Sequence, residues 1–276
     1  MHVQLSDTQL FFERLGKGQP MLMMHGGLGL DHTYFRPWLD KLSEQVELIY
    51  YDHLGNGRSS RLDNMEVITH ETWTADADTL RAQLGFDKII LFGHSYGGFL
   101  AQEYALRFSS HLKGLILCST APVMDYIPVI QANAAARGTP DALAALGEAF
   151  GRPMRDDSDF RSIWMRLLPM YFKRYDARVG KVMDEMTSYS AAAWNHGNTD
   201  CLPKFNTLAR LKEITVPTLV LGGADDYITP PEQVRRIHAG LPNTEIAIFE
   251  ESGHFPFIEE TGKFVKTVRD WIIKLG

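Results

Sequence analysis

At 276 residues, 45% apolar and 22% charged, the chain suits one large α/β domain or one domain with a sizeable insertion. A formal net charge of −6 without basic clusters excludes the electrostatics of nucleic-acid binding. Two cysteines without pair or metal spacing, no leader-like start and no apolar run near the roughly 20 residues of a membrane span predict a reduced, soluble, cytoplasmic protein with no metal and no membrane partner.

In chain order, residues 9–14 and 20–24 read as strands joined through Gly16-Lys17-Gly18. Residues 46–51 form a short apolar run ending at Asp52, the pattern of a buried parallel strand. The spacing predicts a helix over 73–84, closed by Gly85. A strand over 88–92 runs into Gly93-His94-Ser95-Tyr96-Gly97-Gly98, and a helix follows over 96–108 with Ala101, Ala105 and Phe108 at helical spacing. Residues 112–118 form the next strand, whose last residue, Cys118, reads as a buried free thiol. This alternation implies a doubly wound, mostly parallel sheet.

Between 122 and 206 the strand-like runs stop. Methionines and aromatics become frequent, among them Met124, Met154, Trp164, Tyr171 and Trp194. This segment is expected to be a helical cap inserted into a core made of 1–121 and 207–276. Its large side chains form the insertion's own core, and some line an apolar pocket over the Ser95 turn. The sheet resumes with a strand over 216–221 ending in Gly222-Gly223, a helix over 231–239, a last strand over 244–249 and a last helix over 261–275.

Gly-x-Ser-x-Gly alone is a weak pattern, but between a strand and a helix it marks a nucleophile on a sharp turn. Acyl transfer needs that nucleophile, a base, an acid that orients the base, and donors for the oxyanion. Each has a candidate at the end of a predicted strand, where open α/β sheets place their sites. Ser95 is the nucleophile, and the following helix N-terminus favours negative charge beside it. His254, in a loop between the last strand and the last helix, is the base. The acid lies in Gly223-Ala224-Asp225-Asp226-Tyr227-Ile228-Thr229-Pro230. Asp226 is favoured by its fit to Gly-x-x-Asp-x-x-x-Pro, which leaves Asp225 a turn or capping role. The oxyanion donors are the backbone N–H groups of Tyr96 and of Gly27, in the loop His25-Gly26-Gly27-Leu28-Gly29. Residues 52–60 lack phosphate-loop spacing and read as a structural turn buttressing the site. His94 is expected to pack locally. No cofactor is expected, and the partner is a small-molecule substrate.

These motifs resemble the α/β-hydrolase superfamily over essentially the whole chain, including its Ser…Asp…His order. The loop 24–29, the segment 51–59 and the Ser95 turn resemble the proline iminopeptidase-like branch. Leu28 stands where that branch usually has Pro, His53 where Gln is usual and His94 where Gly is common. The same scaffold is similar to carboxylesterases and to enol-lactone and acyl-homoserine-lactone hydrolases. The resemblance implies a serine hydrolase acting on a small ester or lactone through an acyl-enzyme. An aminopeptidase taking an N-terminal proline or small apolar residue is the first alternative. It needs a carboxylate for the substrate's ammonium, for which the insertion offers Glu148, Asp176, Asp184 and Glu185. A non-catalytic ligand receptor on the same fold is the second.

Overall fold

The computed structural model describes residues 1–276. Eight strands, β1 (His2–Gln4), β2 (Gln9–Leu15), β3 (Gln19–Met24), β4 (Val46–Tyr51), β5 (Ile89–His94), β6 (Leu112–Cys118), β7 (Thr218–Gly223) and β8 (Thr244–Phe249), form one sheet in the order β1-β2-β4-β3-β5-β6-β7-β8. β1 and β2 pair antiparallel, as do β2 and β4. Every other pairing is parallel. β5 is buried at every position, because helices cover both faces of a parallel sheet and its strands become continuous apolar runs. Burying each such Ile, Leu or Phe contributes about 1.5–3 kcal/mol.

The helices are α1 (His70–Gln83), α2 (Tyr96–Arg107), α3 (Ile127–Arg137), α4 (Pro140–Gly151), α5 (Asp157–Leu167), α6 (Ala177–Met186), α7 (Ala191–His196), α8 (Pro231–Gly240), α9 (Pro256–Glu259) and α10 (Thr261–Leu275). α1 and α2 pack on each other, and α8 packs on β7 and β8. The segment between β6 and β7 carries α3 to α7 and no strand beyond the single bridge Val123–Asn206. No helix is long and apolar enough to cross a membrane.

The boundaries shift where local chemistry differs from pattern. α1 starts at His70, three residues before the expected start, because Thr69 and Thr72 form a reciprocal capping box. β7 starts at Thr218, since Pro217 has no N–H for the ladder. β5 runs on through Gly93 and His94, held by Met24 on one side and Cys118 on the other. β1 and the 3₁₀ turns His32–Phe35 and Trp38–Glu44 carry no apolar period and were not expected.

Candidate active site

Ser95 joins β5 to α2 at φ 55° and ψ −121°, outside the regions a non-glycine residue prefers. The turn is pinned on both sides. Ser95 N donates to the Cys118 carbonyl at 2.9 Å, and Thr120 Oγ1 donates to the Ser95 carbonyl at 2.8 Å. Gly97 then lets α2 lie directly against the end of β3, since a Cβ there would strike the Met24 carbonyl. The strain is the cost of presenting the Ser95 hydroxyl above the sheet.

His254 and Asp226 are both buried and meet through Nδ1 and Oδ2 at 2.7 Å. The carboxylate is fully satisfied. Oδ1 accepts from the Ile228 and Thr229 N–H groups, each at 3.0 Å, and Oδ2 accepts from Thr229 Oγ1 at 2.6 Å. With Nδ1 carrying the proton shared with Asp226, Nε2 is the basic nitrogen. The backbone N–H of His254 donates to the Tyr171 carbonyl, from the segment between β6 and β7, at 2.6 Å. Asp225 points elsewhere: its carboxylate pairs with Arg137 of α3 at 2.6 Å. Ser95 and His254 line one cavity without a hydrogen bond between them. Such contacts often tighten only when substrate binds.

Gly27 lines the same cavity at φ 47°, and its N–H has no partner in the fold, whereas its carbonyl accepts from Leu30 N. Tyr96 opens α2. The turn over 52–60 holds the Gly27 loop from behind. Asn56 Oδ1 accepts from Gly29 N at 2.7 Å, and His53 Nε2 donates to the His25 carbonyl at 3.0 Å. Burial pushes the His25 imidazole down to about 4 and the His53 and His94 imidazoles well below their ordinary value, so all three are neutral near pH 7.

The cavity has a volume of about 710 Å³, and 17 of its 27 lining residues are hydrophobic. Met124, Ile127, Leu146, Phe150, Trp164 and Trp194 come from the segment between β6 and β7. The lining includes no Asp, Glu, Lys or Arg. The insertion's carboxylates are engaged outside it: Glu148 with Arg166, Asp176 with Arg178, Asp184 with Arg161 and Glu185 with Lys181. No His/Cys/Asp/Glu cluster could hold a metal ion.

Three contributors escaped the sequence. Thr229 reaches Asp226 Oδ2 and lies 3.3 Å from His254 Nδ1; its place just before Pro230 was the only signal. Tyr34 sits in a segment without periodicity. His94, expected to pack locally, reaches His254, 160 residues further along the chain.

Comparison with known proteins bears on the fold and the family. A family model described as alpha/beta hydrolase fold matches residues 19–261. The proline iminopeptidase PfmaB of Pestalotiopsis fici is 28% identical, with 99% of each chain covered. A proline iminopeptidase of Lactobacillus delbrueckii subsp. bulgaricus is 30% identical over 92% of this chain and 90% of its own. An esterase from Exiguobacterium antarcticum superposes with a TM-score of 0.81 at 24% identity, covering 98% of both chains, and shares the fold. Strand order, the Ser95 turn and a relative at this identity over nearly the full length lead to one conclusion: the chain belongs to the α/β-hydrolase fold family, in its proline iminopeptidase-like branch.

Proposed function

We propose that the protein is a serine hydrolase of small, uncharged, apolar carboxylic esters or lactones. The observation that carries this reading is the cavity around Ser95 and His254: large, mostly apolar, and without an ionisable side chain that could pair with a cation, its only acid–base groups beyond tyrosine hydroxyls being the imidazoles of His94 and His254. An aminopeptidase of this branch must bury its substrate's ammonium. An unpaired buried charge is costly, and no carboxylate is there to pair with it.

In this mechanism His254 Nε2 takes the Ser95 proton as Oγ attacks the carbonyl carbon. Asp226 holds the imidazole with Nδ1 protonated and stabilises the imidazolium. The N–H groups of Gly27 and Tyr96 receive the oxyanion, and losing one such donor typically costs about 3 kcal/mol of transition-state stabilisation. His254 then protonates the leaving alcohol, and water cleaves the acyl-enzyme by the same route. Residues 122–206 act as a cap over a core of 1–121 and 207–276 and set which acyl and alcohol groups fit. No cofactor takes part. Two buried free thiols, Cys118 and Cys201, suit a reducing compartment and a cytoplasmic enzyme.

The test is a side-by-side rate for p-nitrophenyl butyrate and proline p-nitroanilide, with Ser95→Ala as control. Ester cleavage that disappears in Ser95→Ala, with negligible anilide cleavage, is expected. Strong proline anilide cleavage would replace this reading with the aminopeptidase that the relatives' names suggest.

A further inference from the structure

Two histidines depart from the branch pattern, His53 and His94, and the mechanism uses neither. His94 is fully enclosed beside the nucleophile, its ring 4.8 Å from the His254 ring, 5.1 Å from Phe257 and 5.5 Å from Tyr34. Its two nitrogens are both engaged. Nε2 lies 2.9 Å from the His254 carbonyl oxygen, and Nδ1 lies 2.9 Å from the Tyr34 hydroxyl. That hydroxyl in turn accepts the Gly26 N–H at 2.5 Å.

Donor and acceptor counting fixes every proton in this chain. A carbonyl only accepts, so His94 Nε2 carries the hydrogen. In a neutral ring Nδ1 is then the acceptor, so Tyr34 donates its O–H to it. The Tyr34 oxygen is left free to accept from Gly26. The result is one directed sequence: Gly26 N–H to Tyr34 oxygen, Tyr34 O–H to His94 Nδ1, His94 Nε2–H to the His254 carbonyl. It starts one residue before the Gly27 donor, passes one residue before Ser95 and ends on the backbone of the base. All members are buried and satisfied, the condition under which a polar network makes a site rigid.

We propose that His94, acting with Tyr34, is a positioning residue that holds the Gly27 oxyanion donor and the His254 base in register with Ser95. Packing alone would need an apolar ring at this position. A histidine with one nitrogen on the His254 backbone and the other joined through Tyr34 to Gly26 is what alignment requires. Gly26 is squeezed in the same place: a Cβ there would sit 2.7 Å from the Ser95 Cβ and from the His94 carbonyl. A side chain at position 26 would therefore push the oxyanion loop away from Ser95.

The inference rests on the hydrolase reading, and its test separates the two. Wild-type turnover of p-nitrophenyl butyrate, checked against Ser95→Ala, tests the reading; ratios of variant to wild type test the register. Tyr34→Phe keeps the ring and removes its links; His94→Phe removes both links with a somewhat larger ring. Each is expected to lower kcat about 10- to 100-fold, the scale of a misplacement near 1 Å, with KM within about twofold. The double variant should be no worse than the worse single, because both cut one sequence of bonds. His94→Gln, which can still donate to the His254 carbonyl, should recover part of the loss. A boronic acid that adds to Ser95 as a tetrahedral mimic should lose affinity in parallel with kcat. Folded variants with near wild-type kcat, or losses carried by KM, would overturn the proposal. Imidazole ¹⁵N shifts of the wild-type protein decide the matter even if the variants fail to fold. A neutral His94 protonated on Nε2 is expected, and protonation on Nδ1 would overturn it.

Discussion

Asp225 and Asp226 are neighbours in the chain with opposite surroundings. Asp226 is buried, accepts two backbone N–H groups and a threonine hydroxyl, and faces His254. Asp225 is half-exposed and pairs with Arg137. Asp226→Asn removes the acceptor that keeps Nδ1 protonated, so kcat is expected to fall about 10³- to 10⁴-fold. Asp225→Asn loses only a half-exposed ion pair, of the kind worth about 0–1 kcal/mol, and kcat should stay within about twofold. Steady-state rates of the two variants check this, and greater damage from Asp225→Asn would contradict the assignment. At this scale the sequence was legible wherever residue type and spacing mark a candidate: Ser95 and His254 do line one cavity, and Asp226 does meet His254. It was silent where meaning comes from a distant partner. Nothing near His94 announces Tyr34, 60 positions away; the buttressing role of 52–60 was legible, but not that Asn56 would take the Gly29 N–H.

Elements are placed by where backbones can touch. Gly97 in α2 and Gly147 in α4 are both helical glycines, yet alanine should have opposite effects at the two. At Gly97 a Cβ meets the Met24 and His25 carbonyls; at Gly147 it meets nothing within 4 Å. Gly97→Ala is expected to cost about 2–3 kcal/mol through overpacking against β3. Gly147→Ala should add about 0.5–1 kcal/mol from helix propensity. Urea unfolding midpoints with a common m-value test both signs. The strands Val46–Tyr51, Leu112–Cys118 and Thr244–Phe249 and the helix Thr261–Leu275 were legible to the residue, because an apolar run or a helical period ends there at a polar or turn residue. Residues 122–206 were legible as helical without helix boundaries. Their large apolar side chains serve both the packing between helices and the cavity wall, so no single face repeats cleanly.

For the whole molecule, four histidines that lose solvation on folding set the response to acid. Burial pushes His25 and His70 down to about 4, and His53 and His94 well below their ordinary value. The unfolded chain takes up protons near 6.5 that the folded chain refuses. The stability from this source is therefore complete above pH 6.5 and lost as pH falls toward 4. For His25 and His70 this amounts to about 2 kcal/mol each lost by pH 5. Four carboxyls work in the opposite sense, raised by burial: Asp76 to about 6, and Asp31, Glu103 and Glu259 above their ordinary range. The melting temperature should fall steeply between pH 7 and pH 5, and His53→Gln should flatten the curve; a flat wild-type profile would contradict this. The His254 N–H is held by the Tyr171 carbonyl. The segment that shapes the cavity also carries a support for the proposed base, so it is not an exchangeable cassette. A chimaera that grafts a relative's 122–206 to change what the enzyme accepts would unhook the base unless the graft returns a carbonyl to the place of Tyr171. Redesign of preference is safer helix by helix, on α3 and α4, than by transplanting the whole insertion.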